Sequence, residues 1–214
     1  MSYFPPPQLA DALADHGLQT LGHCPTTPTD QLPIDGTLVL IGPDEPAFWP
    51  IFETGAEFQD GEDNPLDRWS HRVMTDLAVG FEGSALFPFG GPPFQPIFTW
   101  ALRTGRFWSS PIGFLVHDTA GLFVSFRGVL LLPGVHDAIA GTQPCLTCTG
   151  TPCKTACPVG AFDDGYNLTA CKSHLADANG HDCMTQGCRA RRACPIGQGH
   201  RLPAQATHHM KAFL

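Results

Sequence analysis

The sequence predicts an α+β protein in two parts, a sheet-and-helix domain over residues 1–134 and a small cysteine-rich domain over residues 135–214. Three observations lead there. Eight of the nine cysteines fall between Cys145 and Cys194. The preceding residues carry short aliphatic runs of strand length interleaved with helix-period segments. At 214 residues and 43% hydrophobic content, the chain is long enough to bury a core outside the cysteine segment.

Residues 8–16 repeat apolar positions at helical spacing, Leu9, Leu13 and Ala14, and Gly17 stops the helix. Gly36 to Ile41 is a continuous β-branched and aliphatic run, the pattern of a strand buried on both faces. Residues 47–58 read as a short helix interrupted by Pro50. Asn64-Pro65 opens a better helix, with Asn64 at the N-cap and Pro65 in the first turn, and with Trp69, Val73, Leu77 and Val79 facing a sheet. Residues 85–98 crowd Pro and Gly around Phe87, Phe89 and Phe94. Such a loop suits either a wall of a cofactor pocket or a structural corner filled with rings. A helix then runs from about Gln95 to Arg103 and ends at Gly105. Gly113–His117 and Leu122–Leu132 read as two strands around the turn Asp118-Thr-Ala-Gly121. Residues 133–144 form a linker.

The cysteines form two runs, Cys145-x2-Cys148-x4-Cys153-x3-Cys157-Pro158 and Cys171-x11-Cys183-x4-Cys188-x5-Cys194-Pro195. Two such runs, each closed by Cys-Pro, are the pattern of a ferredoxin holding two [4Fe–4S] clusters, in which the fourth cysteine of each run serves the other cluster. The expected ligand sets are therefore Cys145, Cys148, Cys153 and Cys194 for one cluster, and Cys157, Cys171, Cys183 and Cys188 for the second. Both runs are looser than the usual C-x2-C-x2-C-x3-C-P, which widens the loops without removing a ligand.

Disulfides and zinc are the competing readings. Four bridges would suit a secreted chain, but the N-terminus lacks a basic start followed by an apolar stretch, so a reducing cytoplasm is the expected compartment. Zinc would want two C-x2-C pairs or regular Cys/His spacing. Only Cys145/Cys148 supplies such a pair, and His174, His181, His200, His208 and His209 complete no finger pattern. Cys24 stands apart and reads as a small buried hydrophobe.

Charge divides unevenly: residues 1–144 hold 5 Arg against 16 Asp or Glu, a net of −11, while residues 145–214 hold 7 Lys or Arg against 4 Asp, a net of +3. An acidic body argues against nucleic-acid binding. No apolar run approaches the ~20 residues of a membrane span. Arg189, Arg191 and Arg192, between Cys188 and Cys194, would either offset cluster charge, face an acidic partner or form a solvated surface. No Ser-His-Asp set, Walker loop or strand-following G-x-G-x-x-G is present, so hydrolysis, phosphoryl transfer and direct dinucleotide binding lack support, and electrons would arrive from a redox partner protein.

The stretch Gly113-Phe-Leu-Val-His117-Asp-Thr-Ala-Gly121-Leu-Phe-Val-Ser-Phe-Arg127-Gly-Val-Leu-Leu-Leu-Pro133-Gly134 resembles the closing hairpin of the cobalamin-processing CblC family, over a compatible order of elements across roughly residues 5–135. The resemblance implies a nitroreductase-like domain able to hold a corrin or flavin. His117 and Arg127 are the matching polar positions, read either as contacts to a corrin side chain or phosphate, or as a hairpin His and an Arg paired with a carboxylate such as Asp118. After Pro133-Gly134 the chain departs from that family into the cysteine module, a layout that resembles epoxyqueuosine reductase and the respiratory reductive dehalogenases. It implies an oxidoreductase in which two [4Fe–4S] clusters pass single electrons to cobalamin, with His117, Arg127, Phe87, Phe89 and Phe94 as candidate cofactor contacts. The alternatives are a ferredoxin-like electron carrier with no second cofactor, a flavin-using reductase, and a cluster protein that senses oxygen or iron. A nitroreductase-like fold commonly pairs across a large interface, which makes a homodimer a further expectation.

Overall fold

The computed structural model describes residues 4–198 and 202–214. In chain order its elements are α1 (Pro7–Ala14), β1 (Leu18–Pro25), β2 (Gly36–Pro43), α2 (Phe48–Glu53), α3 (Ala56–Gln59), α4 (Pro65–Gly80), β3 (Ser84–Leu86), α5 (Ile97–Arg103), β4 (Phe107–Ser109), β5 (Leu115–His117), β6 (Gly128–Pro133), α6 (Pro152–Thr155), α7 (Leu168–Ala176), α8 (His181–Gln186), α9 (Arg189–Arg192) and α10 (Pro203–Phe213). The protein is α+β, with helices segregated from a small antiparallel sheet. None of the helices is long and apolar enough to cross a membrane.

The chain divides into two compact units, one made of residues 1–106 and 125–141 and the other of residues 107–124 and 142–214. This differs from a single cut after residue 134. The sequence reading kept residues 107–124 with the sheet, whereas Ile112, Val116 and Leu122 are buried with Cys153, Phe162 and Cys194 in a core of the second unit. Apolar burial therefore assigns that segment to the cysteine-rich part.

The first unit is built on a four-stranded antiparallel sheet of order β1-β2-β6-β3. Every residue of β2 is buried, as expected of an aliphatic run with no polar alternation. α1 and α5 pack on β1, and α4 packs on β6 and β3. Gly17 ends α1 at φ +63°, where a Cβ would stand 2.6 Å from the Phe48 Cα, so the stop is both conformational and steric. Pro50 lies in the first turn of α2, where its missing N–H has no partner to lose; the helix survives it and breaks instead at Thr54-Gly55. Phe48, Phe52 and Trp69 lock α2 to α4, the Trp69 ring standing edge-on to both phenyls at 5.5 and 5.9 Å.

Several sequence expectations change here. Asn64 does precede α4 but sits in the left-handed region at φ 52° and its side chain makes no capping bond. Trp69, Val73 and Leu77 are buried, whereas Val79 is 74% exposed, because it lies two residues beyond Leu77 and so on the far side of the helix. The expected strand pair around Asp118–Gly121 is not a hairpin. β5 pairs with β4, and β6 pairs with β2 and β3. The turn itself is present, closed by reciprocal bonds in which His117 N–H donates to the Gly121 carbonyl (2.9 Å) and Gly121 N–H to the His117 carbonyl (3.1 Å).

In the second unit, β4 and β5 form a two-stranded ribbon, and the rest is short helices. α6 packs on α9, while α8 packs on α7 and α10.

Candidate functional site

The cysteine-rich unit gathers its thiols into two groups. Cys145 lies in a single 3-10 turn, Pro144–Leu146, Cys148 in the loop that follows, Cys153 inside α6, and Cys194 two residues beyond α9. These four line one cavity of about 380 Å³, counting the space open to solvent, walled by Val116, Leu122 and Ile196. Cys157 follows α6, Cys171 lies in α7, Cys183 in α8, and Cys188 caps the start of α9. These four line a second cavity of about 330 Å³, walled by Phe162, Leu175 and Met210.

The exchange of fourth cysteines has a local cause. α6 and α9 are each one turn long, and each has a cysteine in or at its start and a Cys-Pro just after its end. Because these helices pack on one another, Cys153 of α6 meets Cys194 from beyond α9, while Cys188 of α9 meets Cys157 from beyond α6. The proline after each run prevents the turn from continuing as helix.

All nine cysteines are free thiols. Burial pushes the Cys145 thiol up, and proximity to Cys194, Cys153 and Cys148 adds to the rise. Cys153 is raised in the same way, by burial and then by Cys194 and Cys148. In the second group, burial raises Cys171 and Cys183, with Cys188 a further contributor to each. Cys145, Cys153, Cys171 and Cys183 thus disfavour bare thiolates, and a cation that bound their sulfurs would displace the protons to solvent. Among the described residues no three His, Cys, Asp or Glu side chains converge on the position of a single metal ion. In a four-iron cube each thiolate binds a different iron, so its ligands stand farther apart than those of one ion. Four cysteine sulfurs around an apolar-walled cavity have the donor type and number that such a cube takes. Ala161 N–H points at Cys157 Sγ at 3.3 Å, a donor of the kind that tunes thiolate-ligated iron.

The other candidate residues are distributed differently. His117 is 1% exposed, and both of its ring nitrogens are engaged in its own turn. Nδ1 accepts from Thr119 N–H (3.3 Å) and Ala120 N–H (3.2 Å), and Nε2 faces Asp118 Oδ1 at 3.3 Å. Arg127 belongs to the first unit, where its Nη2 donates to Ser125 Oγ at 2.9 Å. Its charge acts on Asp67 of α4, whose carboxyl is pushed up by burial and pulled back by the guanidinium. His117 thus faces Asp118, and Asp67 feels the charge of Arg127. Phe87 stacks on His71 at 4.9 Å and lies against Phe89 at 5.1 Å, whereas Phe94 is 65% exposed. Phe87 thus packs on α4 through His71, with Phe89 against it. Cys24 is buried, and its thiol donates to the Trp100 carbonyl at 3.7 Å. Of the histidines near the cysteine runs, His200 lies outside the described residues.

Sequence reasoning missed an aromatic group beside the second cysteine set. Phe162 and Tyr166 stack at 5.0 Å, and Phe114 stands edge-on to both at 5.2 Å. The spacing of Phe162 and Tyr166 was a readable signal, but Phe114 comes from a segment read as part of the sheet domain.

The fold and site define an α+β protein bearing two four-cysteine groups. The chain matches no family model and no curated protein.

Proposed function

We propose that the chain is an iron–sulfur oxidoreductase in which Cys145, Cys148, Cys153 and Cys194 hold one [4Fe–4S] cluster and Cys157, Cys171, Cys183 and Cys188 hold a second, passing single electrons to a corrinoid held by the first, CblC-like unit. The observation that supports it is the sorting of eight free thiols into two cavities with the crossed pairing of a dicluster ferredoxin. Each cluster, when bound, takes and gives one electron at a time, which matches the one-electron steps of cobalt reduction. The cysteines supply the thiolates; Val116, Leu122, Ile196 and Phe162 keep water from them; the Ala161 amide donates to Cys157. Electrons would come from a redox partner protein, in a cytoplasmic setting that keeps the thiols reduced.

A second reading, an electron carrier with no further cofactor, is favoured by the stacking of Phe87 on His71 of α4 with Phe89 against it, which uses those two rings as structure. One experiment separates the two. The anaerobically reconstituted full chain is titrated with hydroxocobalamin and then reduced stoichiometrically. A bound corrin spectrum that converts to cob(II)alamin as cluster absorbance recovers supports the corrinoid reductase. Clusters that cycle without binding the corrin leave the carrier, and a chain that takes up no iron overturns both.

A further inference from the structure

The second unit contains another cavity, of about 280 Å³, against one side of the second cysteine group, with which it shares Cys171 and Cys188. That is just under the low end of the about 300–1,000 Å³ that small-molecule sites commonly enclose, and like them it combines apolar walls with a few placed polar groups. One wall is the Phe114–Phe162–Tyr166 group, in which each ring fixes the others in stacked or edge-on contact. α10 contributes Met210 and Phe213 to the lining.

Arg191 lines the cavity together with the polar side chains of Tyr166 and His209. The three arginines of α9 do different things, because a one-turn helix sends residues at spacing three to one side and the residue between them elsewhere. Arg192 bonds Asp182, and Arg189 lies 3.7 Å from the same carboxylate. Arg191 instead places its guanidinium 5.3 Å from the centroid of the Phe114 ring, in the lining of the cavity. No carboxylate among the described residues pairs with it; its electrostatic neighbours are Cys188 and Tyr166. A planar cation on an aromatic ring, in the lining of a largely apolar cavity, suits a flat ring bearing a negative group.

We propose that this cavity binds the ring of a planar conjugated anion such as flavin mononucleotide, against the side chains of Phe162, Tyr166 and Phe213, with the anionic group on Arg191. Such a ligand would lie beside Cys171 and Cys188. The site is in the second unit, apart from the Phe87–Phe94 loop, and so goes beyond the reading above.

The test is a fluorescence titration of the full chain, reconstituted anaerobically, with flavin mononucleotide and separately with lumiflavin, which has the same ring and no phosphate. Flavin mononucleotide is expected to bind in the micromolar range and lumiflavin at least about tenfold more weakly, since a charge-assisted contact is lost. Arg191→Gln should bring flavin mononucleotide to the lumiflavin level. Phe213→Ala, which removes the ring that α10 gives to the lining, should weaken both ligands. Failure of both flavins to bind in the submillimolar range overturns the proposal, as does unaltered binding of flavin mononucleotide to Phe213→Ala. Iron content is measured on the same samples. Flavin binding without iron would sink the iron–sulfur reading and keep this one, and iron uptake without flavin binding would do the reverse.

Discussion

Gly121 lies against Cys194: a Cβ on Gly121 would stand 3.2 Å from Cys194 Sγ and 2.1 Å from the Ile196 carbonyl oxygen, and the residue holds φ at +59°. The turn that closes residues 117–121 is thereby seated on the cysteine that crosses to the first group. Gly121→Ala meets both a backbone collision and a left-handed conformation that costs an alanine roughly 1–2 kcal/mol by itself. We expect the variant to shift the Cys194–Gly197 backbone and to lose the iron of the first group, seen as a fall from about eight to about four irons per chain after reconstitution. Full iron content in Gly121→Ala would show that the contact is not needed to place Cys194.

The crossed pairing itself predicts which cysteines act together. Cys148→Ala and Cys194→Ala should each remove one cluster and leave about four irons, whereas Cys148→Ala combined with Cys194→Ala should remove no more than either alone. Combining Cys148→Ala with Cys157→Ala should remove both. Cys24→Ala should leave about eight irons, because Cys24 is buried in the first unit against the Trp100 carbonyl. Iron analysis and the visible spectrum check all five.

Asp30 ties a turn to α5. Its carboxylate accepts from the Trp100 indole (2.8 Å), from Arg103 (2.6 and 2.9 Å) and from the Thr27 amide (2.7 Å). Burial opposes its ionisation, but the bonds from Arg103, Thr27 and Trp100 outweigh burial and hold the pKa at about 2, below the ordinary 3.8. A carboxyl with a depressed folded pKa contributes stability that is fully present above 3.8 and is lost as pH falls toward 2. Asp30→Asn should cost about 1–3 kcal/mol at neutral pH and flatten the acid slope in that window, measured as urea midpoints.

His23 acts in a higher pH range. It is 6% exposed, its Nε2–H donates to the Asp137 carbonyl at 2.9 Å, and its ring meets Phe4 edge-on. Burial lowers its pKa below 6.5; the Asp137 carbonyl opposes that, and His136 and Arg106, the charged groups facing it, lower it further. Below pH 6.5 the unfolded chain binds a proton that the folded chain refuses, so stability falls as pH drops from 6.5 toward the folded value. His23→Gln should remove that part of the slope. Thermal midpoints at pH about 7 and about 5.5 check it, and an equal drop in both proteins would exclude His23 as the source.

The sheet was legible where one signal sufficed. β2 shows itself as an unbroken aliphatic run, and α1 and α4 show themselves by apolar period and by their Gly and Pro punctuation. β1 was not legible, because Gln19, Thr20, Gly22 and His23 interrupt its aliphatic residues, and its strand character depends on pairing with β2. The Phe-rich loop carried composition without geometry: the same rings fit a pocket wall and a corner, and the stack of Phe87 on His71 depends on where α4 lies.

Sequence alone determined the two cysteine runs and their Cys-Pro endings, which are local properties of the chain. It also determined the buried central strand and the helix punctuation, which depend on residues a few positions apart. Only the tertiary structure decided that residues 107–124 join the cysteine-rich unit, that β6 pairs with β2 and β3 while β5 pairs with β4, and that Arg191 faces a ring while its neighbours bond Asp182. The physical reason is that two apolar runs around a glycine turn carry the same periodicity whichever partners they find. The choice of partner is made by which surfaces bury the most apolar area and satisfy the most backbone bonds, and that is a property of residues distant in sequence.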